Sequence, residues 1–283
     1  VESSVENKEH FLKERMLFDV TLFSDGSNIQ RKPKGHLYLY PLIAIAAMLA
    51  IVFVMDLPHM HKPKQQLSQT IRIPAGQRAQ MDLPDSSIVW LNSQTTLTYD
   101  ENFGKKDRKV TLDGEAYFEV AHNKEIPFYV QTENIKVQVT GTKFDVCSYK
   151  GSNSFIARLI EGSINLLTNN AKEEKPITSL TKGKYFSMEN GKYKTGEMSS
   201  NNALAWMQGI YYFDDVPFKE LLDKIALYYN YKITVKNPKI LENYRCTGKF
   251  KDLDGIEHIL KVIQKDHPFK YNIDNEHNKI TIE

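Results

Sequence analysis

The chain has 283 residues, 41% hydrophobic and 25% charged, which excludes wholesale disorder and low-complexity architectures and leaves room for about two folded units. Lys and Arg number 37 against 35 Asp and Glu, so the net charge of +2 gives no electrostatic footprint for nucleic acid. The two cysteines, Cys147 and Cys246, exclude a disulfide-dense scaffold and a cysteine-rich zinc site, and are expected to stay separate and buried.

In residues 5–23, Phe11, Leu12, Met16, Leu17, Val20 and Phe23 recur at roughly helical spacing among charges. An isolated amphipathic helix of this length is marginal in water. Its apolar face, with Leu12, Met16 and Val20, therefore needs a partner. Residues 1–36 read as a cytoplasmic helical segment with a linker from residue 24, and a start at Val1 instead of Met hints at a missing stretch before it.

Residues 42–55, LIAIAAMLAIVFVM, are an uninterrupted apolar run. Spanning a bilayer takes roughly 20 residues, and extension from Leu37 to Leu57 reaches 21. Tyr38 and Tyr40 suit an interfacial belt. A buried core helix would carry polar residues on one face, and a signal peptide would have a shorter leader than 36 residues. The pattern predicts one transmembrane helix over 37–57. Arg31, Lys32 and Lys34 place its N-terminal side in the cytoplasm. Residues 58–69 are a linker.

From Thr70 to about Met188 the pattern is strand-like. Val110, Leu112, Gly114, Ala116, Phe118 and Val120 alternate with Thr111, Asp113, Glu115, Tyr117 and Glu119, the period of a half-buried strand with its charges toward solvent. Shorter candidates are 71–73, 88–91, 128–130, 135–139, 164–167 and 185–186, punctuated by turns such as Pro74-Ala75-Gly76 and Leu83-Pro84-Asp85. An all-β sandwich, barrel or roll over residues 70–200 follows.

Residues 206–283 read differently. Strands at 210–213, 231–235 and 244–250 alternate with helices whose apolar faces carry Phe218, Leu221, Leu222 and Ile225, then Ile256, Ile259, Leu260 and Ile263. Asp215 is expected to cap the first helix, and Asp254 with Glu257 to form a capping box for the second. Residues 269–273 and 279–282 close the unit as a hairpin. The order is βαβ-βαβ-β, a small α+β domain.

Several motifs recur here in one order: Leu83-Pro84-Asp85-Ser86-Ser87-Ile88-Val89-Trp90-Leu91-Asn92; Leu112-Asp113-Gly114-Glu115-Ala116-Tyr117-Phe118-Glu119-Val120; Val139-Thr140-Gly141-Thr142-Lys143-Phe144; and Leu159-Ile160-Glu161-Gly162-Ser163-Ile164. The chain resembles the FecR family, and the region after Trp206 looks like its C-terminal domain, similar to the short secretin/TonB N-terminal fold. Two departures stand out. Ser86 occupies a position where the family usually has glycine, and residues 1–36 are fewer than the usual sigma-binding domain. The resemblance implies a single-pass regulator in the bacterial inner membrane with its bulk in the periplasm. It implies two partners: an extracytoplasmic-function sigma factor, and the signalling domain of a TonB-dependent outer-membrane receptor. The short strands Tyr244 to Phe250 and Lys279 to Ile282 are the candidate edges for the receptor contact.

No catalytic, cofactor-binding or metal-ligating constellation is legible. The eight histidines fall in no ligand array, and no phosphate loop is present. The resemblance adds one chemical possibility, because some family members are cut between the matching Gly and Thr. In this sequence the inward phase flips between Val139 and Phe144, so Gly141-Thr142 is expected to absorb an extra residue. Either this is a structural bulge, or a strained peptide there lets the Thr142 hydroxyl attack the Gly141 carbonyl. A different class of function, a membrane-anchored periplasmic carbohydrate-binding or carbohydrate-processing protein with sugars stacked on Trp90 or Trp206, is the alternative.

Overall fold

The computed structural model describes residues 44–48, 50–51, 67–105, 107–169, 174–198 and 201–283. The amphipathic segment with Leu12, Met16 and Val20, the linker over 24–36, residues 58–66 of the second linker and half of the apolar run lie outside these residues, and the end of the second linker, from Ser68, is already strand. Residues 44–48 and 50–51 of that run are helical, with Ile45, Met48 and Ile51 exposed. Among the described residues no helix is long and apolar enough to cross a membrane.

Residues 66–283 form one compact unit containing two hydrophobic cores. The first core belongs to thirteen strands: β1 (Ser68–Arg72), β2 (Ala79–Asp82), β3 (Ile88–Leu91), β4 (Thr96–Asp100), β5 (Arg108–Glu119), β6 (Phe128–Gln131), β7 (Ile135–Val139), β8 (Lys143–Ser148), β9 (Ser154–Glu161), β10 (Ser163–Thr168), β11 (Pro176–Thr181), β12 (Lys184–Glu189) and β13 (Lys192–Glu197). They make two sheets that share β5. One runs β1-β4-β5-β6-β7-β10-β11, the other β2-β3-β5-β8-β9-β12-β13, and every pairing is antiparallel except β5 with β6.

The two sheets bury their alternate residues against each other. Val110 and Leu112 from the first half of β5, and Ala116 and Phe118 from the second half, all face this core. Phe118 stacks on Phe144 at 5.1 Å and meets Phe128 edge-on at 5.9 Å. Full burial of such a ring stabilises by roughly 1.5–3 kcal/mol. The long strand changes sheets at Gly114, whose φ of +135° is closed to other residues. Several strands escape sequence reading. β13 has exposed side chains throughout most of its length, and β9, although its burial alternates, sets Ile156 and Ile160 beside Ser154 and Arg158 on one face, so neither shows a clean period of two in sequence.

The turn before β3 bears out the sequence anomaly at Ser86, which is left-handed with φ 67°. Its frame is strongly tied. The Leu83 N–H donates to the Ser87 carbonyl at 2.8 Å, and the Asp85 carboxylate accepts from Ser87 and from the buried Arg108 guanidinium. That network over-determines the turn and tolerates a strained serine.

The second core belongs to a 3₁₀ segment (Asn201–Gln208) and seven elements: β14 (Ile210–Pro217), α1 (Phe218–Tyr229), β15 (Lys232–Val235), β16 (Arg245–Lys251), α2 (Gly255–Asp266), β17 (Tyr271–Asp274) and β18 (Lys279–Ile282). The expected order is present. β14 pairs β16, and β15-β18-β17 form a second small sheet. Both expected caps are absent. Pro217 precedes α1 with no side-chain cap, and Asp215 instead pairs Arg245 at 2.8 Å. Asp254 accepts from the Lys251 backbone across a 3₁₀ turn, while Glu257 pairs Lys261 at 2.7 Å. Asp215 and Glu257 are engaged by cations and Asp254 by the preceding 3₁₀ turn, so none of them caps its helix.

Candidate functional site

Gly141-Thr142 is not a bulge within a strand. β7 lies in one sheet and β8 in the other, so the phase flip is the step between sheets. Gly141 has no left-handed φ, and it is needed for space: a Cβ there would come within 2.4 Å of the His122 Nδ1 and 2.8 Å of the His122 Cα. The neighbouring peptide groups are held by ladder-like bonds, Val120 N–H to Thr142 O at 3.0 Å and Asn123 N–H to Thr140 O at 2.7 Å. Thr142 is buried, and its hydroxyl donates to the Ser163 carbonyl at 3.0 Å. His122 is a spatial neighbour that sequence proximity did not reveal.

The expected contact strands separate clearly. β18 is the central strand of its sheet, bonded to β15 and β17, so Lys279 to Ile282 offers no edge. β16 pairs β14 alone among the described residues and keeps one edge open. Its two expected contact side chains are engaged internally: Phe250 is buried against Phe213 at 6.0 Å, and Tyr244 stacks on His267 at 3.9 Å. Any contact along β16 therefore falls on its backbone and on the exposed Thr247 and Lys249.

The largest departure from the sequence reading is on the outer face of β5. Glu115 and Tyr117, expected toward solvent, are buried at 4% and 5% exposure because the C-terminal domain covers this face. Register assembles the group. Glu115 lies opposite Cys147 on β8, Tyr117 opposite Asp145, and Asp145 opposite Arg158 on β9. The Arg158 Nη1 is 2.5 Å from the Asp145 Oδ2 and 3.7 Å from the Glu115 Oε1. Asn92 donates to the Glu115 Oε2 at 2.7 Å. Burial, then the neighbouring Asp145, pushes the Glu115 carboxyl up to about 7. Burial also raises Asp145 above the usual carboxylate range, against the pull of Arg158.

A cavity of about 380 Å³ adjoins these residues, with Glu115, Cys147 and Arg158 on the sheet side and Trp206, Lys224 and Tyr228 opposite. Around it, three β-domain groups bond the C-terminal carbonyls of α1. The Gly76 N–H reaches the Tyr228 O at 3.0 Å, the Ser93 hydroxyl the same oxygen at 3.1 Å, and the Gln94 amide the Leu227 O. Carbonyls left over at a helix end are thus satisfied from the other domain. Arg78 pairs Asp252 at 3.2 Å, and Tyr211 stacks on Tyr228 at 4.1 Å beneath. Cys147 and Cys246 are both free, Cys147 only partly buried. Among the described residues no group of three or more His, Cys, Asp or Glu side chains is placed to hold a metal ion.

Two family matches fall on these two parts of the fold. Residues 69–165 match the family described as FecR protein, and residues 210–282 match FecR, C-terminal. The chain belongs to the FecR family. The domain that covers the outer face of β5 is thus the family's C-terminal part, joined to its β part by the Trp206 segment. No curated protein matches the chain. Two crystal structures of a candidate anti-sigma factor from Parabacteroides distasonis share the fold, each with a TM-score of 0.65, 24% identity, and coverage of 76% of this chain and 98% of that one.

Proposed function

We propose that this FecR-family chain is a single-pass inner-membrane anti-sigma regulator that relays a signal from a TonB-dependent outer-membrane receptor to an extracytoplasmic-function sigma factor. The observation that carries the reading is the order of parts: an apolar run over 42–55, then the FecR match at 69–165, then the C-terminal match at 210–282. The fold shared with a candidate anti-sigma factor supports the same role. In this reading residues 1–36 face the cytoplasm and hold the sigma factor through Leu12, Met16 and Val20. The C-terminal domain meets the receptor's signalling domain by strand addition at the open edge of β16. The protein acts by contact and not as an enzyme.

The test is co-purification of the full chain with the sigma factor and with the receptor's signalling domain. Both should be recovered, and changing Leu12, Met16 and Val20 together to Ser should release the sigma factor while leaving the signalling domain bound. Failure to retain either partner overturns the relay; unchanged sigma binding in the triple variant removes the helix from the contact.

Gly141-Thr142 serves in this reading as a crossing between sheets without chemistry. The Thr142 hydroxyl proton is already committed to the Ser163 carbonyl, and a threonine needs an activating base to attack a peptide. The purified chain should remain one band on a denaturing gel after long incubation at neutral pH. A fragment beginning at Thr142 that disappears in Thr142→Ala would assign self-cleavage instead, and His122 would be the first base to test.

A further inference from the structure

Two buried carboxylates and one guanidinium meet where the two domains pack, and the Arg158 side chain keeps 17% of its surface exposed. Glu115 and Asp145 both depend on Arg158, and Arg158 lies nearer to Asp145. If all three are ionised, one negative charge is left in a buried interface, which is costly. The groups facing it do not neutralise it. On α1, Lys224 lies across the cavity, but its ammonium pairs with Glu220 at 2.8 Å and stays partly exposed. On β8, Cys147 is kept as a thiol by burial. Tyr149 is committed to the Ser93 carbonyl at 2.8 Å, and Tyr211 and Tyr228 from the C-terminal domain are held neutral, mainly by burial. Asn92 supplies one hydrogen bond to Glu115 and no charge. Trp206 and the contacts to the α1 carbonyls cover this face while the domains are docked.

We propose that the contact between the β domain and the C-terminal domain is a proton-linked joint: one proton held on the Glu115–Asp145–Arg158 cluster keeps the domains docked, and its release lets the C-terminal domain and the Trp206 segment lift from the sheet. The inference rests on the geometry of residues 66–283 and does not depend on which partners the regulator meets. Docking covers Glu115, and undocking returns it to water, where a carboxyl titrates near its ordinary value of 4.5. The docked carboxyl titrates at about 7. A raised acid favours the docked state fully below its free value, and the preference is lost as pH rises through the docked value. Linkage then weakens docking by up to about a hundredfold between pH 5 and pH 8.

The joint can be read in the full chain with Trp90→Phe, which leaves Trp206 as the single indole. Acrylamide quenching of its emission should be low at pH 5 and higher at pH 8, with the rise falling between the free value of 4.5 and the docked value of about 7. Adding Glu115→Gln, which fixes the neutral form, should hold quenching low across the whole range. A flat profile without that change, or an unchanged rise with it, overturns the proposal. Should Glu115→Gln fail to fold, hydrogen exchange of the unsubstituted chain decides. The Gly76 amide, shared between the Tyr228 carbonyl across the joint and the Ser93 hydroxyl in its own domain, should lose protection by up to about a hundredfold between pH 5 and pH 8 beyond its intrinsic pH trend. Constant protection overturns the joint.

Discussion

Replacing Arg158 by methionine should lower the stability of the 66–283 unit by about 3–5 kcal/mol at pH 8, measured by urea unfolding. The substitution keeps a long side chain over the sheet but removes the one cation within 4 Å of both Asp145 and Glu115. Two buried carboxyls then have no counter-charge, and breaking a buried pair on one side costs far more than replacing the whole pair. The loss should shrink on acidification. Burial raises both carboxyls above their ordinary values, Glu115 to about 7, so protonation favours the folded unit, and removing Arg158 raises them further. The stabilisation is complete below the unfolded value of about 4.5 and disappears as pH rises through the folded value. The variant should therefore be closest to the parent near pH 5. Combining Arg158→Met with Asp145→Asn and Glu115→Gln should recover most of the loss, since no ion is then left buried. A loss that is equal at pH 5 and pH 8, with no recovery in the triple variant, would trace the effect to packing of the arginine stem.

This cluster was the part of the molecule least legible in the sequence. The inward face of β5 was readable because Val110, Leu112, Ala116 and Phe118 alternate strictly, and a period of two is a local property. The same period assigns Glu115 and Tyr117 to the opposite face but says nothing about what covers it. Cover comes from residues more than 80 positions later, in Trp206, Tyr211 and Tyr228. Helix α1 was legible because its apolar stripe is continuous. Its caps were not, because Asp215 meets Arg245 30 residues away. Gly141 shows the same limit. The sequence signals an anomaly between Val139 and Phe144, and only the fold shows that the chain is stepping between sheets beside His122. Ser86 went the other way: a serine in place of the family's glycine leaves either a different turn or a left-handed serine, and the fold has the left-handed serine.

Gly114→Ala should cost about 3–5 kcal/mol, from two penalties that act at one residue. The first is conformational. At φ +135° a side chain meets its own backbone, a region that only glycine occupies freely. The second is contact. A Cβ at this position would sit 2.4 Å from the Thr95 Oγ1 and 2.6 Å from the Thr95 Cα. Thr95 cannot rotate away cheaply. It is buried, and its hydroxyl accepts from the Glu115 N–H and donates to the Glu115 carbonyl, both at 3.1 Å. The close approach exists because β5 leaves β4 after Asp113 and joins β8 from Gly114 onward. Gly183 supplies the control. Its φ is also positive, at 83°, yet a Cβ there meets nothing within 4 Å. Gly183→Ala should therefore cost only about 1–2 kcal/mol of backbone strain. Thermal or urea unfolding of both variants separates the terms, and the excess at Gly114 measures the crossing itself. Since Glu115 is the next residue, the Gly114 variant should also shift the pH at which Trp206 becomes quenchable. Equal losses at the two glycines would mean that Thr95 yields, and that the step of β5 between the sheets is not held by this contact.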